Sequence, residues 1–260
     1  MADALAQARH DLAVANRIVS HEGIIDAFGH VSMRHPENPS RYLISRSRSP
    51  ELVEPSDILE FTLDSIPTKP LGKVLPYGEL VIHGEIYKAR KDVNAVAHHH
   101  GMAMLPFCNT GEELKPVYHM GAQIGPKVPF WDSRDEFGDT CLLVLKPEEG
   151  RSLARALGPH WLVLMRRHGA TVVGKTLENL VFRTIYSYRN AELQLMTQSL
   201  GVRVSPLTPG EAKMAMDRNL EPRPQARAWE YWSIRLKKSG AYPNGKSEKS
   251  GKARKTKQHG

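Results

Sequence analysis

The stretch "VNAVAHHHGMAM", residues 93–104, runs alternating small and β-branched side chains into three consecutive histidines. In a strand, successive side chains point to opposite faces, so His98 and His100 share a face and His99 takes the other. Two bare imidazoles buried side by side cost free energy unless a partner satisfies them. A divalent metal ion is such a partner, because neutral imidazole is its commonest nitrogen ligand. Further ligands must then come from elsewhere in the chain. The candidates are Glu79 in "PYGELVIHGEIYKARKD" and His168 in "MRRHGATVVG". Three histidines with an open position and a nearby carboxylate suit catalysis at a substrate oxygen.

Outward from this stretch, the pattern alternates helices and strands. Residues 4–21 have helical apolar spacing, and residues 21–46 break into strand-like pieces at Gly and Pro-Asn turn signals. "PSDILEFTLDSIPT" adds a strand after a turn at Pro55-Ser56-Asp57, and the segment around Glu79 is predicted helical, with Pro76 at or just before its start. "DTCLLVL" and "WLVLMRRHGATVVG" are predicted strands, with "PEEGRSLARALG" a helix between them. Thr176 offers an N-cap to a long helix that Gly201 ends. Early hairpin-like strands with later helices predict an antiparallel or mixed sheet flanked by helices.

Composition bounds the function. The chain has 260 residues, 40% hydrophobic and 25% charged, as in a globular domain. No apolar run approaches the ~20 residues of a membrane helix, and the N-terminus lacks a signal-peptide core. Cys108 and Cys141 cannot form a disulfide framework and are expected as ordinary buried thiols in a cytoplasmic protein. The net charge of +8 invites a nucleic-acid partner until it is located. Residues 237–260 hold eight Lys or Arg against Glu248 alone, which gives +7 and leaves about +1 for the rest. That segment is expected to be a disordered basic tail, so nucleic acid is not the expected partner and the function belongs to the body. We expect a catalytic domain over 1–215 and a helical extension over 216–236.

The order and spacing of Glu79, His98-x-His100 and His168-Gly169 resemble the class II aldolase/adducin family across most of residues 5–205. The resemblance implies a three-layer α/β/α domain with a largely antiparallel central sheet. It implies a homotetramer with active sites near subunit boundaries. By motif position it assigns His98, His100 and His168 as metal ligands and Glu79 as the catalytic acid/base or an occasional ligand. The ion is expected to be zinc or manganese before iron. A non-catalytic adducin-like head loses such ligands, whereas all four residues stand here.

Departures from the sugar-phosphate pattern narrow the substrate. His30 in "AFGHVSMR" stands where a phosphate-binding asparagine is expected, and Tyr77-Gly78 replaces a pair of small hydroxyl residues. "LISRSRSPELV" brings Arg46 and Arg48 into the neighbouring loop. An Arg suits a planar carboxylate, and Arg46 is the residue assigned to it. Tyr77 is expected to stack on or hydrogen-bond to an aromatic ring. His30 is expected to donate to a phenolic or carboxylate oxygen and to stand second to Glu79 for proton transfer. This variant is similar to the branch that decarboxylates hydroxylated aromatic or pyridine dicarboxylic acids. The implied function is therefore a metal-dependent lyase acting on a small carboxylate. Alternatives are an aldolase of a non-phosphorylated hydroxy acid or aldehyde and an iron-dependent oxygenase of the same fold. His83, four residues beyond Glu79, is read as packing before support for Glu79, and Trp131 as packing. His35, His119 and His160 receive no role.

Overall fold

The computed structural model describes residues 4–244. Helix α1 (Ala4–His21) is followed by a hairpin of β1 (His30–Arg34) and β2 (Arg41–Ser45) and by β3 (Ile58–Thr62). Next come α2 (Leu80–Ala89), β4 (Ala95–His99), α3 (Leu105–Thr110), β5 (Phe130–Trp131) and α4 (Arg134–Phe137). Then α5 (Pro147–Leu157) precedes a second hairpin, β6 (Leu162–Met165) and β7 (Gly169–Gly174). Helices α6 (Leu177–Gln198), α7 (Pro209–Asn219) and α8 (Pro222–Lys238) complete the described chain.

The seven strands form one sheet in the order β3-β2-β1-β4-β7-β6-β5. All pairs are antiparallel except β5 with β6. Strand alternation sorts the core into two layers. Ala95 and Ala97 join α1, α6 and α8 on one face, while Val96 joins α2 and α5 on the other. His98 and His100 share Val96's face by the same alternation. The three-layer α/β/α arrangement expected of the family is therefore present.

Several local expectations are corrected. "DTCLLVL" is not a strand: Val144 and Leu145 give their amide protons to the side chains of Glu79 and Glu149 instead of a ladder. Leu142 there has φ +68°, a conformation that L-residues adopt at a cost. Pro76 lies short of α2, whose N-cap is Glu79. "WLVLMRRHGATVVG" is two strands, because the chain reverses at Arg166–Arg167–His168, with Arg167 at φ +52°. Cys108 is buried as expected, but Cys141 is exposed on the irregular loop.

The C-terminal region is corrected too. The boundary placed at 216 falls inside α7, and Lys237 and Lys238 end α8 instead of opening a disordered tail. Trp232 and Leu236 pack into the core beside α1 and α6. Residues 239–244 fold back, with the Ala241 carbonyl accepting from Arg17 and the Asn244 amide donating to Glu54. The expected disorder of the remaining basic tail concerns residues outside the described ones.

Helix α5 approaches α2 closely because Gly150 has no side chain. A Cβ there would sit 2.7 Å from the Val81 carbonyl oxygen and 3.0 Å from Glu85 Cγ. Gly150→Ala is therefore expected to push the helices apart and lower unfolding free energy by roughly 1–3 kcal/mol, the usual range for overpacking. Urea denaturation measures this; stability equal to wild type would show that the α2–α5 contact is not close-packed.

Candidate active site

The site is assembled by strand register. In the β1–β4 pair His30 stands opposite His98, and in the β4–β7 pair His98 stands opposite Thr171. All three side chains project toward α2. The Thr171 hydroxyl donates to Met165 Sδ, so its oxygen is left to accept from His98 Nδ1–H at 3.2 Å. This bond fixes the lone pair of His98 on Nε2. His98 Nε2 lies 3.1 Å from His100 Nε2. The turn between β6 and β7 brings His168 alongside, its ring stacked on His100 with centroids 5.0 Å apart.

Glu79 closes the group from the N-terminus of α2. Its Oε1 accepts the Val144 amide at 2.9 Å and lies 3.6 Å from His168 Nε2, while Oε2 lies 3.8 Å from His98 Nε2. One donor atom from each of Glu79, His98, His100 and His168 falls within 4.8 Å of the other three.

Burial dominates the electrostatics. It holds His98 well below the ordinary histidine range, with His168 and other imidazoles adding to the effect. Burial also lowers His100, and lowers His168 to about 4 with His100 contributing. The Glu79 carboxyl is pushed up to about 7 by burial, opposed by the Val144 amide. Both ring nitrogens of His168 are buried without a hydrogen bond, while the Leu142 carbonyl lies close enough to oppose the effect of burial. Three neutral imidazoles, two orphaned nitrogens and one carboxylate form a donor set that fits a divalent cation. His99 faces the other side of the sheet and accepts from the Gly101 amide through Nδ1.

A cavity of about 330 Å³ opens beside this cluster, reaching Glu79 and His100. His30 and Tyr77 wall it with rings 4.7 Å apart. Gly29 allows the wall to form: it has φ +115°, and a Cβ would meet the His98 carbonyl at 2.9 Å. The Tyr77 hydroxyl is committed to the Arg48 carbonyl and to Ser45 Oγ, so Tyr77 offers the cavity its ring. Leu143 and Leu145, from the segment expected to be a strand, supply apolar wall.

The arginines are rearranged relative to expectation. Arg48 lines the cavity and Arg46 does not. Arg46 Nε and Arg48 Nη1 each hold one oxygen of Asp57, at 2.6 and 2.7 Å. Although burial works against the ionised form, the Glu54 amide and both guanidiniums keep the Asp57 carboxyl below its usual range. Trp131 is core, its indole donating to Ser152. Sequence reasoning underrated His83. It is fully buried and bonds His30, not Glu79. The sequence signal was the polar residues Ser32 and Tyr87, at strand and helix positions that face it.

Comparison with known proteins shows the family. Residues 10–195 match the model of the class II aldolase and adducin N-terminal domain. The decarboxylase tropJ of Talaromyces stipitatus is 31% identical over 252 residues, covering 87% of this chain and 93% of that protein. The 3,4-dihydroxyphthalate decarboxylase of Arthrobacter keyseri is 30% identical over 205 residues, covering 75% and 81%. In fold, the chain superposes on an aldolase II superfamily protein from Pseudomonas syringae with a TM-score of 0.78. That match has 21% identity over 93% of this chain and 96% of the other. With its sheet, helical layers and family model in accord, the chain belongs to the class II aldolase and adducin family.

Proposed function

We propose that this protein is a metal-dependent, non-oxidative decarboxylase of a hydroxylated aromatic or pyridine dicarboxylic acid. The observation that carries this is the Glu79, His98, His100 and His168 cluster beside a cavity walled by imidazole, phenol and guanidinium groups. The carbon–carbon lyase class is that of the relatives named decarboxylases. His98, His100 and His168 would hold a zinc or manganese ion, with iron the third choice. Such an ion supplies Lewis-acid stabilisation of a substrate oxygen that gains negative charge.

The chain's own groups do the rest. Tyr77 and Leu143 sandwich the ring, and His30 donates to a substrate oxygen. Arg48 holds the carboxylate that is retained, a role that passes to it from Arg46. Glu79 is the acid, carrying the proton on Oε2, the oxygen that Val144 does not occupy. Glu79 delivers that proton to the ring carbon bearing the leaving carboxylate. The carbon–carbon bonding pair then returns to the ring as carbon dioxide departs. We further assign the protein to the cytoplasm as a homotetramer, supported by its composition and its family.

Carbon dioxide release from a panel of hydroxylated aromatic dicarboxylates tests the activity. At least one is expected to be turned over, and efficient cleavage of a sugar phosphate with none of them decarboxylated would reject the proposal. Glu79→Gln is expected to keep its metal and lose ~10²-fold or more in kcat, as for a missing general acid. Wild-type turnover in this variant would remove Glu79 from proton transfer.

Elemental analysis tests the ligands. His98→Ala, His100→Ala and His168→Ala are each expected to lose most bound metal, while His99→Ala retains it. Full occupancy in His168→Ala would refute the assignment.

For Arg48→Ala, KM for a dicarboxylate is expected to rise roughly tenfold, the modest value reflecting a partly exposed guanidinium. A monocarboxylate analogue should be less affected, and Arg48→Lys should recover only part of the loss. Equal losses for both substrates would make Arg48 structural.

A further inference from the structure

Behind His30, on the α2 side of the sheet, runs a line of buried polar groups that the metal cluster does not use. His30 Nδ1 lies 2.6 Å from His83 Nε2, and His83 Nδ1 lies 2.6 Å from Ser32 Oγ. Ser32 Oγ in turn lies 2.7 Å from the Tyr87 hydroxyl. Ser32 and His83 are fully buried and Tyr87 nearly so. The line contains no carboxylate that could hold an imidazolium. Burial keeps His83 neutral, lowering it to about 3.

The direction of the line is set at its far end. A buried phenolic proton needs an acceptor. Among the described residues the Tyr87 hydroxyl has one hydrogen-bond partner, Ser32 Oγ, and so one acceptor for its proton. Tyr87 therefore donates to Ser32. The Ser32 hydroxyl, having accepted, gives its own proton to His83 Nδ1. A neutral His83 that accepts at Nδ1 carries its proton on Nε2, and so donates to His30 Nδ1. His30 is left with its proton on Nε2, the ring nitrogen not taken up by His83, and the ring lines the cavity.

We propose that Tyr87, Ser32 and His83 are positioning residues that lock His30 in its Nε2–H tautomer, making it a fixed hydrogen-bond donor to an anionic substrate oxygen. A neutral imidazole so held has no lone pair facing the cavity. His30 is then a donor and not a base, which leaves proton transfer to Glu79. The identity of the oxygen rests on the decarboxylase proposal; the tautomer does not.

The test is nitrogen-15 spectroscopy of the zinc-loaded, full-length protein labelled at histidine, with His30 assigned by its loss in His30→Gln. Two-bond nitrogen–proton correlations separate the two tautomers. The expected wild-type spectrum shows His30 protonated at Nε2 and bare at Nδ1. Tyr87→Phe and Ser32→Ala, two independent breaks in the line, should each give a mixture of tautomers. In Tyr87→Phe, kcat should fall roughly tenfold with KM nearly constant, a fraction of what losing a preorganised donor costs. His83→Gln can accept from Ser32 and donate to His30, and should restore most of the rate that His83→Leu loses. Wild-type His30 protonated at Nδ1, or an unchanged tautomer in both Tyr87→Phe and Ser32→Ala, would overturn the proposal. The spectrum needs no substrate, so the expected tautomer in a protein that decarboxylates nothing would support the proposal and reject only the decarboxylase assignment.

Discussion

The antiparallel register that sets His30 across from His98, and His98 across from Thr171, constrains everything else in the site. Because side chains alternate with a period of two, slipping β4 by one residue would turn His98 and His100 toward α6 and bring His99 to the cavity. The apolar residues on the same strands prevent that slip. Ala95 and Ala97 belong to the α1/α6 layer and Val96 to the α2/α5 layer. One hydrophobic pattern therefore specifies both the core and the direction in which the imidazoles point.

Given that register, burial shapes the chemistry. Burial keeps the imidazoles neutral, and neutral imidazoles are both metal ligands and tautomeric hydrogen-bonding groups. The two roles separate in space. His98, orientated by Thr171, and His168, whose ring nitrogens make no hydrogen bond, leave lone pairs beside Glu79. His30, backed by His83, turns away from that duty and toward the cavity wall. The same burial raises Glu79 to where a carboxyl exchanges protons near neutral pH.

Much of this was legible in the chain. The His-x-His alternation, the Thr176 cap of α6 and the hairpin-like early strands each follow from local rules that the structure keeps. The misses share one cause, tertiary partners that override local pattern. "DTCLLVL" has a strand's composition, but its amides are claimed by carboxylates on α2 and α5. Arg46 and Arg48 are equivalent in sequence; their shared counter-ion Asp57, nine or more residues away, accompanies Arg48 alone reaching the cavity. His83 looked like a core histidine because both its hydrogen-bond partners, His30 and Ser32, lie on β1, some fifty residues away in sequence. Lys237 and Lys238 read as tail by charge, yet Trp232 and Leu236 anchor the helix that carries them.

The central claim is that the sheet register builds a metal centre from three neutral imidazoles beside one carboxylate, open toward an aromatic acid. X-ray absorption at the metal edge, on protein loaded with zinc or manganese, addresses it most directly. The account predicts a nearest-neighbour shell with three imidazole nitrogens, whose remaining oxygen scattering changes when a hydroxylated aromatic carboxylate is added. A shell with fewer than two imidazoles, or one indifferent to the added acid, would contradict it.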